Sequence, residues 1–412
     1  MSAAAGAGLW LLAAAAAWLL GMLAGPRLLR AMWRGRPLTR QPVAPGAWPP
    51  GLPAGAARPA FSVLVAARDE QAAIAARIAN LMALQAPPGG VEIVVVSDGS
   101  TDGTAEIVRA CQEQAPPDRP LTLVELAPNR GKEAAVLEAA RSARGSWLAL
   151  TDATTEWQPD VLLRFAEAAA ADPTIGAVSG RVRYHARAGG VVEGFATYQR
   201  LVVGQRRAGG LAAQQVSTIG ACAAIRADCF DRYVPNMNSD LQLMLLAAER
   251  GLRTVYVADA VAFEEPRTGV GEELRARQRI MRLCLVSIPP LFQRLWRAGA
   301  WLPLLLLLAT KLSRWLIWLP VLAAIAGLCA LAAAVEPHWA LGGRVGLLFV
   351  TAALAVGVTH LLGLRLPGGR IARQIGAACG YASLAVAATV VALWQVMRGQ
   401  RSLAWRPERP TG

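Results

Sequence analysis

Val91-Glu92-Ile93-Val94-Val95-Val96-Ser97-Asp98-Gly99-Ser100-Thr101-Asp102-Gly103-Thr104 is the stretch that decides the fold. Its first half is a β-branched apolar run of the kind buried in a sheet. The run stops at Ser97-Asp98, and Gly99 to Gly103 turn the chain into a helical pattern that begins near Thr104. A strand, an acid-bearing glycine turn and a helix present a carboxylate at the carboxyl end of a strand, where α/β sheets bind ligands. The same residue types also make an ordinary solvated turn. The flanking sequence separates the two readings.

Upstream, Phe61 to Ala67 is a continuous apolar strand ending in Arg68-Asp69-Glu70, and Gln71 to Leu84 has helical spacing through Ile74, Ile78, Leu81 and Met82. Downstream, Leu121 to Leu126 is a third strand, Asn129-Arg130-Gly131-Lys132 a turn, and Glu133 to Arg144 a helix. Ser146 to Leu150 is a fourth strand, ending in Thr151-Asp152-Ala153-Thr154. Strands alternating with helices at this spacing predict βαβ units and a mostly parallel sheet, an α/β fold. Right-handed crossovers bring the strand ends to one edge, so Arg68, Glu70, Asp98, Lys132 and Asp152 are predicted to share one cleft.

Farther along, Pro159 to Ala171 reads as a helix and Ile175 to His185 as a strand. The small residues of Ser217 to Arg226 allow close backbone approach. Asn238-Ser239-Asp240 opens a helix to about Arg250, because such side chains accept from free first-turn amides. Val255 to Phe263 is a strand ending in Glu264-Glu265-Pro266. Glu272 to Ile288 is a helix with Arg275, Arg279 and Arg282 on one face, followed by Pro289-Pro290.

The chain has 412 residues, is 54% hydrophobic and carries a formal charge of +14. Much of that charge flanks apolar runs, as on the cytoplasmic side of membrane segments, and nothing in its pattern calls for a nucleic-acid partner. The six cysteines form no CxxC pair and read as reduced apolar residues; three histidines make a histidine metal cluster or a Ser-His-Asp triad improbable. Leu9 to Ala24 is followed by Arg27, Arg30, Arg34 and Arg36, which predicts an uncleaved anchor with the arginines inside. Trp315 to Val335, Val345 to Leu366 and Ile375 to Met397 are each long enough to cross a bilayer. Trp301 to Thr310 is too short and reads as interfacial or re-entrant.

The expected organisation is an anchor with basic flank over 1–36, a Pro/Gly/Ala linker over 37–60, the α/β domain over 61–290 and an interfacial segment over 291–314. Three transmembrane helices over 315–397 and a basic tail over 398–412 complete it. With three C-terminal spans, the tail would lie outside and the α/β domain in the cytoplasm.

These ordered motifs — AARDE, SDGSTDGT, NRGK, TDAT, IGACAAIR and NSDLQL — resemble those of membrane-bound, polysaccharide-synthase-like family-2 glycosyltransferases over about Phe61 to Arg282. The resemblance implies a GT-A domain, a nucleotide-sugar donor, inversion at the anomeric carbon and a divalent cation, Mg2+ or Mn2+. It makes Asp240 the general base, with an N-cap as its alternative role. Asp152 becomes the metal ligand and first acid of a DxD motif, whose second acid is replaced here by Thr154. By the same resemblance Arg68, Glu70 and Asp98 bind the nucleoside, Lys132 meets the nucleotide or its phosphates, and Arg279 and Arg282 clamp the diphosphate. A basic helix lying on anionic lipid is the other reading of that arginine face. The implied partners are a glycan or lipid-linked acceptor and the bilayer, in a multi-pass protein of a bacterial inner membrane. Transfer to a polyprenyl phosphate, or a degenerate transferase serving as a binding subunit, are the alternatives.

Overall fold

Burial on both faces is what the apolar runs of β1 (Phe61–Ala67) and β2 (Val91–Asp98) require, and every residue of both strands is buried. Alternate side chains point to opposite faces of the sheet. Val63, Val65, Ile93 and Val95 pack with Ile74, Ile78 and Leu81 of α2 (Ile74–Met82) and Val108 of α3 (Thr104–Glu113). Leu64, Val94 and Val96 pack on the other side with Val136 and Ala139 of α4 (Lys132–Ser142). Each such large apolar side chain contributes about 1.5–3 kcal/mol by leaving water.

The computed structural model describes residues 2–32, 60–185, 202–204, 206, 214–235, 237–267, 269–316, 318–361 and 370–399. The expected linker, apart from its last residue, and all but the start of the basic tail lie outside them, as do Arg34 and Arg36. Among the described residues one eight-stranded sheet runs in the order β3-β2-β1-β4-β7-β6-β8-β5. β3 (Leu121–Leu126), β2, β1 and β4 (Trp147–Asp152) are parallel, as the alternation predicts. Ala66 stands opposite both Val96 and Asp152, which puts the ends of β1, β2 and β4 on one edge.

The second half departs from simple alternation. Between β5 (Glu156–Trp157) and β6 (Ile175–Tyr184) lies α5 (Val161–Ala171). β7 (Ala223–Arg226) inserts antiparallel between β4 and β6, so only the last part of the small-residue stretch at 217–226 is strand. β8 (Arg253–Glu264) is parallel to β6 and carries β5 antiparallel on its far side. α6 (Ser239–Glu249) is apolar nearly all round, and its Leu243 and Leu246 join the α4 side of the core.

The basic helix is longer than predicted. α7 spans Val270–Ala298 and runs through Pro289 and Pro290, where the sequence suggested a stop. The two prolines remove backbone donors. Leu291 and Leu295, fully buried against Leu241, Met244 and Leu245 of α6, hold the helix together past them. α8 (Trp301–Leu307) continues through a π-helical turn, Leu308–Leu312. It packs Leu304 and Leu307 against α6 and α7, and Leu302 and Leu306 against Val216 and Leu29.

Among the described residues, three helical stretches are long and apolar enough to cross a membrane: Ala3–Met22 within α1 (Ala3–Met32), Pro337–Ala355 within α10 (Pro337–Leu361), and Cys379–Met397 within α11 (Arg370–Met397). Of the run expected to span over Trp315 to Val335, Trp315 ends one short helix and Trp318–Ala332 (α9) is another of 15 residues. α9 stops at Ala332, and the next helix opens at Pro337, where a proline suits the first turn. α9 nevertheless runs beside α1 in the opposite sense. The Ser2 amide donates to Glu336 Oε1 at 2.5 Å, and Trp18 Nε1 donates to the Ser313 carbonyl at 3.3 Å.

Candidate active site

The turns after β1 and β2 are built into each other. Asp69, at φ 52°, accepts the Thr101 amide at 2.7 Å through Oδ1 and donates its own amide to Ser100 Oγ at 3.2 Å. The amide of Glu70 donates to Thr104 Oγ1 at 2.8 Å, and Gly103 donates to Gln71 Oε1 at 2.8 Å. Gly99, at φ +64°, has the Asn129 amide nitrogen 2.7 Å from where a Cβ would stand, so a side chain there would collide with the next turn. Arg68 lies beside Asp69, with 3.7 Å between guanidinium and carboxylate.

Asp98 is 1% exposed, and both its oxygens are used. Oδ1 accepts the Arg130 amide at 2.7 Å and Oδ2 the Gly131 amide at 2.8 Å. It therefore fixes the NRGK turn through both carboxylate oxygens. The fixed turn delivers Lys132 at the first residue of α4, where its ammonium donates to Asp152 Oδ1.

Charges around this pair reinforce it. Burial works against the Lys132 cation, but Asp152 and then Glu133 outweigh it and hold the ammonium above the ordinary lysine range. Burial likewise works against the Asp152 anion, and Lys132, then Arg279 and Arg77, hold the carboxyl below its ordinary range. The charge of Arg279 of α7 thus reaches the Asp152 carboxylate. Arg282 is half-buried on the same helix, and among the described residues it has no ion pair with the cleft acids.

Asp240 is not the helix cap. Asn238 takes that place, its side chain accepting the Leu241 amide at 3.3 Å. Asp240 is the second residue of α6, and its Oδ1 accepts the Gly220 amide at 2.5 Å. A Cβ on Gly220 would stand 2.9 Å from that oxygen and 4.0 Å from Lys132 Nζ. Gly220 therefore brings Asp240 and Lys132 to the same backbone patch. Asp152, Lys132 and Asp240 converge; Asp98, Arg68 and Glu70 occupy the supporting edge.

Three residues with no role assigned from sequence belong to this region. Glu133 is buried and accepts from Tyr233 Oη, and from the Ser239 amide and hydroxyl at 3.3 and 3.2 Å, tying α4 to α6; burial raises its carboxyl despite Lys132. Arg77 lies on the apolar face of α2 beside Ile74, Ile78 and Leu81. Its guanidinium donates to Thr151 Oγ1 at 2.6 Å and to Asn80 Oδ1, and lies 5.4 Å from the Trp157 ring. Burial lowers it to about 9. An arginine among regularly spaced apolar residues was the available signal. Glu264 ends β8 and accepts from Thr155 Oγ1 at 3.2 Å. Burial, then the charge of Asp152, pushes its carboxyl up to about 7.

A divalent cation would find one directional acid at Asp152 and a second carboxylate nearby at Glu264, a hard-oxygen set suited to Mg2+ or Mn2+. Among the described residues, no three His, Cys, Asp or Glu side chains form a cage. An open set of this kind leaves coordination positions for diphosphate oxygens and water. An apolar hollow lined by Phe61, Trp147, Pro88 and Ile175 opens at the opposite edge, away from these acids.

This arrangement agrees with what the chain is similar to. The model of the "Glycosyltransferase like family 2" matches residues 59–282, more than half of the chain. The chain is a member of that glycosyltransferase family. Among solved structures, a mannosyltransferase from Pyrobaculum calidifontis, in complex with GDP-Man and Mn2+, is similar at TM-score 0.62 and 27% identity, covering 93% of this chain and 99% of the other. The fold is GT-A. An N-acetylglucosaminyltransferase of Azorhizobium caulinodans is 27% identical over 54% of this chain and 59% of its own length. A poly-beta-1,6-N-acetyl-D-glucosamine synthase of Staphylococcus aureus is 31% identical over 30% of this chain and 28% of its own. The chain thus matches less than two thirds of either curated relative.

Proposed function

We propose that the protein is an inverting transferase that moves a hexosyl or N-acetylhexosaminyl group from a nucleotide-sugar donor to a glycan or lipid-linked acceptor at the membrane surface. The observation that carries this reading is the meeting of Asp152, Lys132 and Asp240 around the Gly220 amide. Inverting transfer needs a base on the acceptor side and positive charge on the leaving side. Here the two lie within one cleft.

Asp240 is the base in this reading. The Gly220 amide fixes Oδ1, and Oδ2 takes the acceptor hydroxyl's proton as that oxygen attacks the anomeric carbon from the face opposite the diphosphate. Lys132 stabilises the negative charge that gathers on the departing diphosphate, and Arg279 of α7 adds a second cation. Asp152, with Glu264 near it, would hold a divalent cation, which supplies Lewis-acid stabilisation of the same leaving group. Arg68 and Glu70 orient the nucleoside, while Asp98 acts through the NRGK turn. Arg282 belongs to the lipid- or acceptor-facing continuation of α7.

The same architecture supports a membrane location. Leu29, near the basic end of α1, packs with Val216 and with α8, so the end of the anchor rich in arginine is the end that meets the catalytic domain. A nucleotide donor and positive-inside arginines then agree on the cytoplasmic side.

The test is release of nucleoside diphosphate by membranes or detergent extracts containing the protein, over a panel including UDP-GlcNAc and GDP-Man, with and without acceptor lipid. Donor-dependent release that requires Asp240 supports the reading. Binding of a donor without turnover under any acceptor condition would make the chain a binding subunit.

A further inference from the structure

The turn after β4 lacks an acid where the DxD pattern places its second one, and the fold brings a replacement from the other end of the domain. Thr154 is exposed and offers only a neutral hydroxyl, a poor ligand for a hard cation beside carboxylates. Its neighbour Thr155 is 1% exposed. The Thr155 amide reaches back to the Asp152 carbonyl at 3.4 Å, closing the turn, and its hydroxyl donates to Glu264 Oε1 at 3.2 Å. One short turn therefore carries Asp152 at its start and holds Glu264 at its end.

The backbone leaves little freedom in that placement. β5 pairs with β8 through Glu156 opposite Phe263, which returns the end of β8 alongside the turn. β6 pairs Tyr184 with Glu264 from the other side, and the His185 amide donates to the Glu264 carbonyl at 3.1 Å. The hydroxyl of Tyr184 also lies against the Glu264 carboxyl, and the charges of Lys132 and Arg267 act on it.

Three other acids of the region have hydrogen-bond partners of their own. Glu133 serves Tyr233 and Ser239, Asp98 serves Arg130 and Gly131, and Asp240 serves Gly220. Glu264 instead rests on neutral hydroxyl donors while feeling the charge of Asp152. The charge of Asp152 works against the Glu264 carboxylate, and a divalent cation between the two would remove that repulsion. The similar mannosyltransferase from Pyrobaculum calidifontis was solved with Mn2+.

We infer that Glu264, held by Thr155 at the end of β8, supplies the second carboxylate of the divalent-cation site whose first is Asp152, in place of the acid absent at Thr154. The assignment rests on the donor-diphosphate reading of the cleft and adds the specific ligand to it.

The experiment titrates Mn2+ alone into the detergent-solubilised full chain and follows free Mn2+ by electron paramagnetic resonance. The wild-type chain binds Mn2+. Glu264→Gln, which keeps an oxygen for the Thr155 hydroxyl, weakens binding by about tenfold or more, as loss of a charged ligand does. Thr154→Asp added to Glu264→Gln returns the affinity toward the wild-type value. Wild-type affinity in Glu264→Gln overturns the assignment, and so does a double variant that stays as weak as Glu264→Gln, or a wild-type chain that binds no Mn2+. If the melting temperature of Glu264→Gln falls, the rescue by Thr154→Asp alone decides. Nucleoside diphosphate release, measured separately, tests the transferase reading, so the two can fail independently.

Discussion

Asp98 and Asp152 each end a strand of the same parallel sheet, on β2 and β4, with β1 between them. In the sequence each is an acid that follows an apolar run and leads into a small-residue turn. In the fold Asp98 is sealed, each of its oxygens taken by a backbone amide of the next turn. Asp152 keeps a side chain 36% exposed and is met by charges: Lys132 in contact, Arg279 and Arg77 behind it. An acid whose lone pairs are spent on buried amides is scaffold. One that is balanced by mobile cations and open to solvent can exchange them for a ligand. The longest motif in the sequence therefore builds the cleft, and the shorter TDAT turn holds its chemistry.

That comparison can be broken at several points. The largest effect should come from the base on the far side of Asp152: Asp240→Asn lowers turnover by about 10²–10⁴-fold while donor binding stays near normal. Turnover close to wild type would remove Asp240 from the mechanism. Gly220→Ala puts a methyl against Asp240 Oδ1 and should cost about 10- to 100-fold in turnover through misplacement of that oxygen. An unchanged rate would mean the Gly220 contact does not set the geometry of the base.

Next come the two strand-end acids themselves. Asp98→Asn leaves one amide of the NRGK turn facing a donor, so stability should drop by about 1–3 kcal/mol, read as a lower thermal midpoint. Asp152→Asn should leave the midpoint nearly in place and abolish divalent-dependent donor binding. The reverse pattern, or full wild-type activity in excess chelator, would invert the assignment of scaffold and site. The smallest effect is expected at Asp69. Asn tolerates its positive φ and keeps an oxygen for the Thr101 amide, so Asp69→Asn should change stability by only about 0.5 kcal/mol. A loss as large as that of Asp98→Asn would show that the Arg68 pair matters more than the turn.

Much of the frame was legible in the chain itself. The β-branched runs at 61–67 and 91–96 and the helical spacing between them specify parallel strands because side-chain period and crossover handedness are local properties. The same rules place Arg68, Glu70, Asp98, Lys132 and Asp152 on one edge, where the fold has them. Of the apolar runs read from the chain, those at 9–24, 345–366 and 375–397 overlap described helices long and apolar enough to cross a bilayer, and the one at 315–335 falls on a shorter helix.

Other features depended on contacts between distant residues, which no local pattern encodes. That Asp98 holds the NRGK turn depends on amides 32 and 33 residues away. α7 survives Pro289 and Pro290 because α6 buries Leu291 and Leu295. Asp240 is released from capping because Asn238 caps α6 and the Gly220 amide takes its carboxylate. Glu264 joins Asp152 through Thr155, 109 residues earlier in the chain. Sequence alone thus determined which strand ends gather; tertiary packing decided which lone pairs remain for a ligand, because each buried amide must find an acceptor before the cleft can have one.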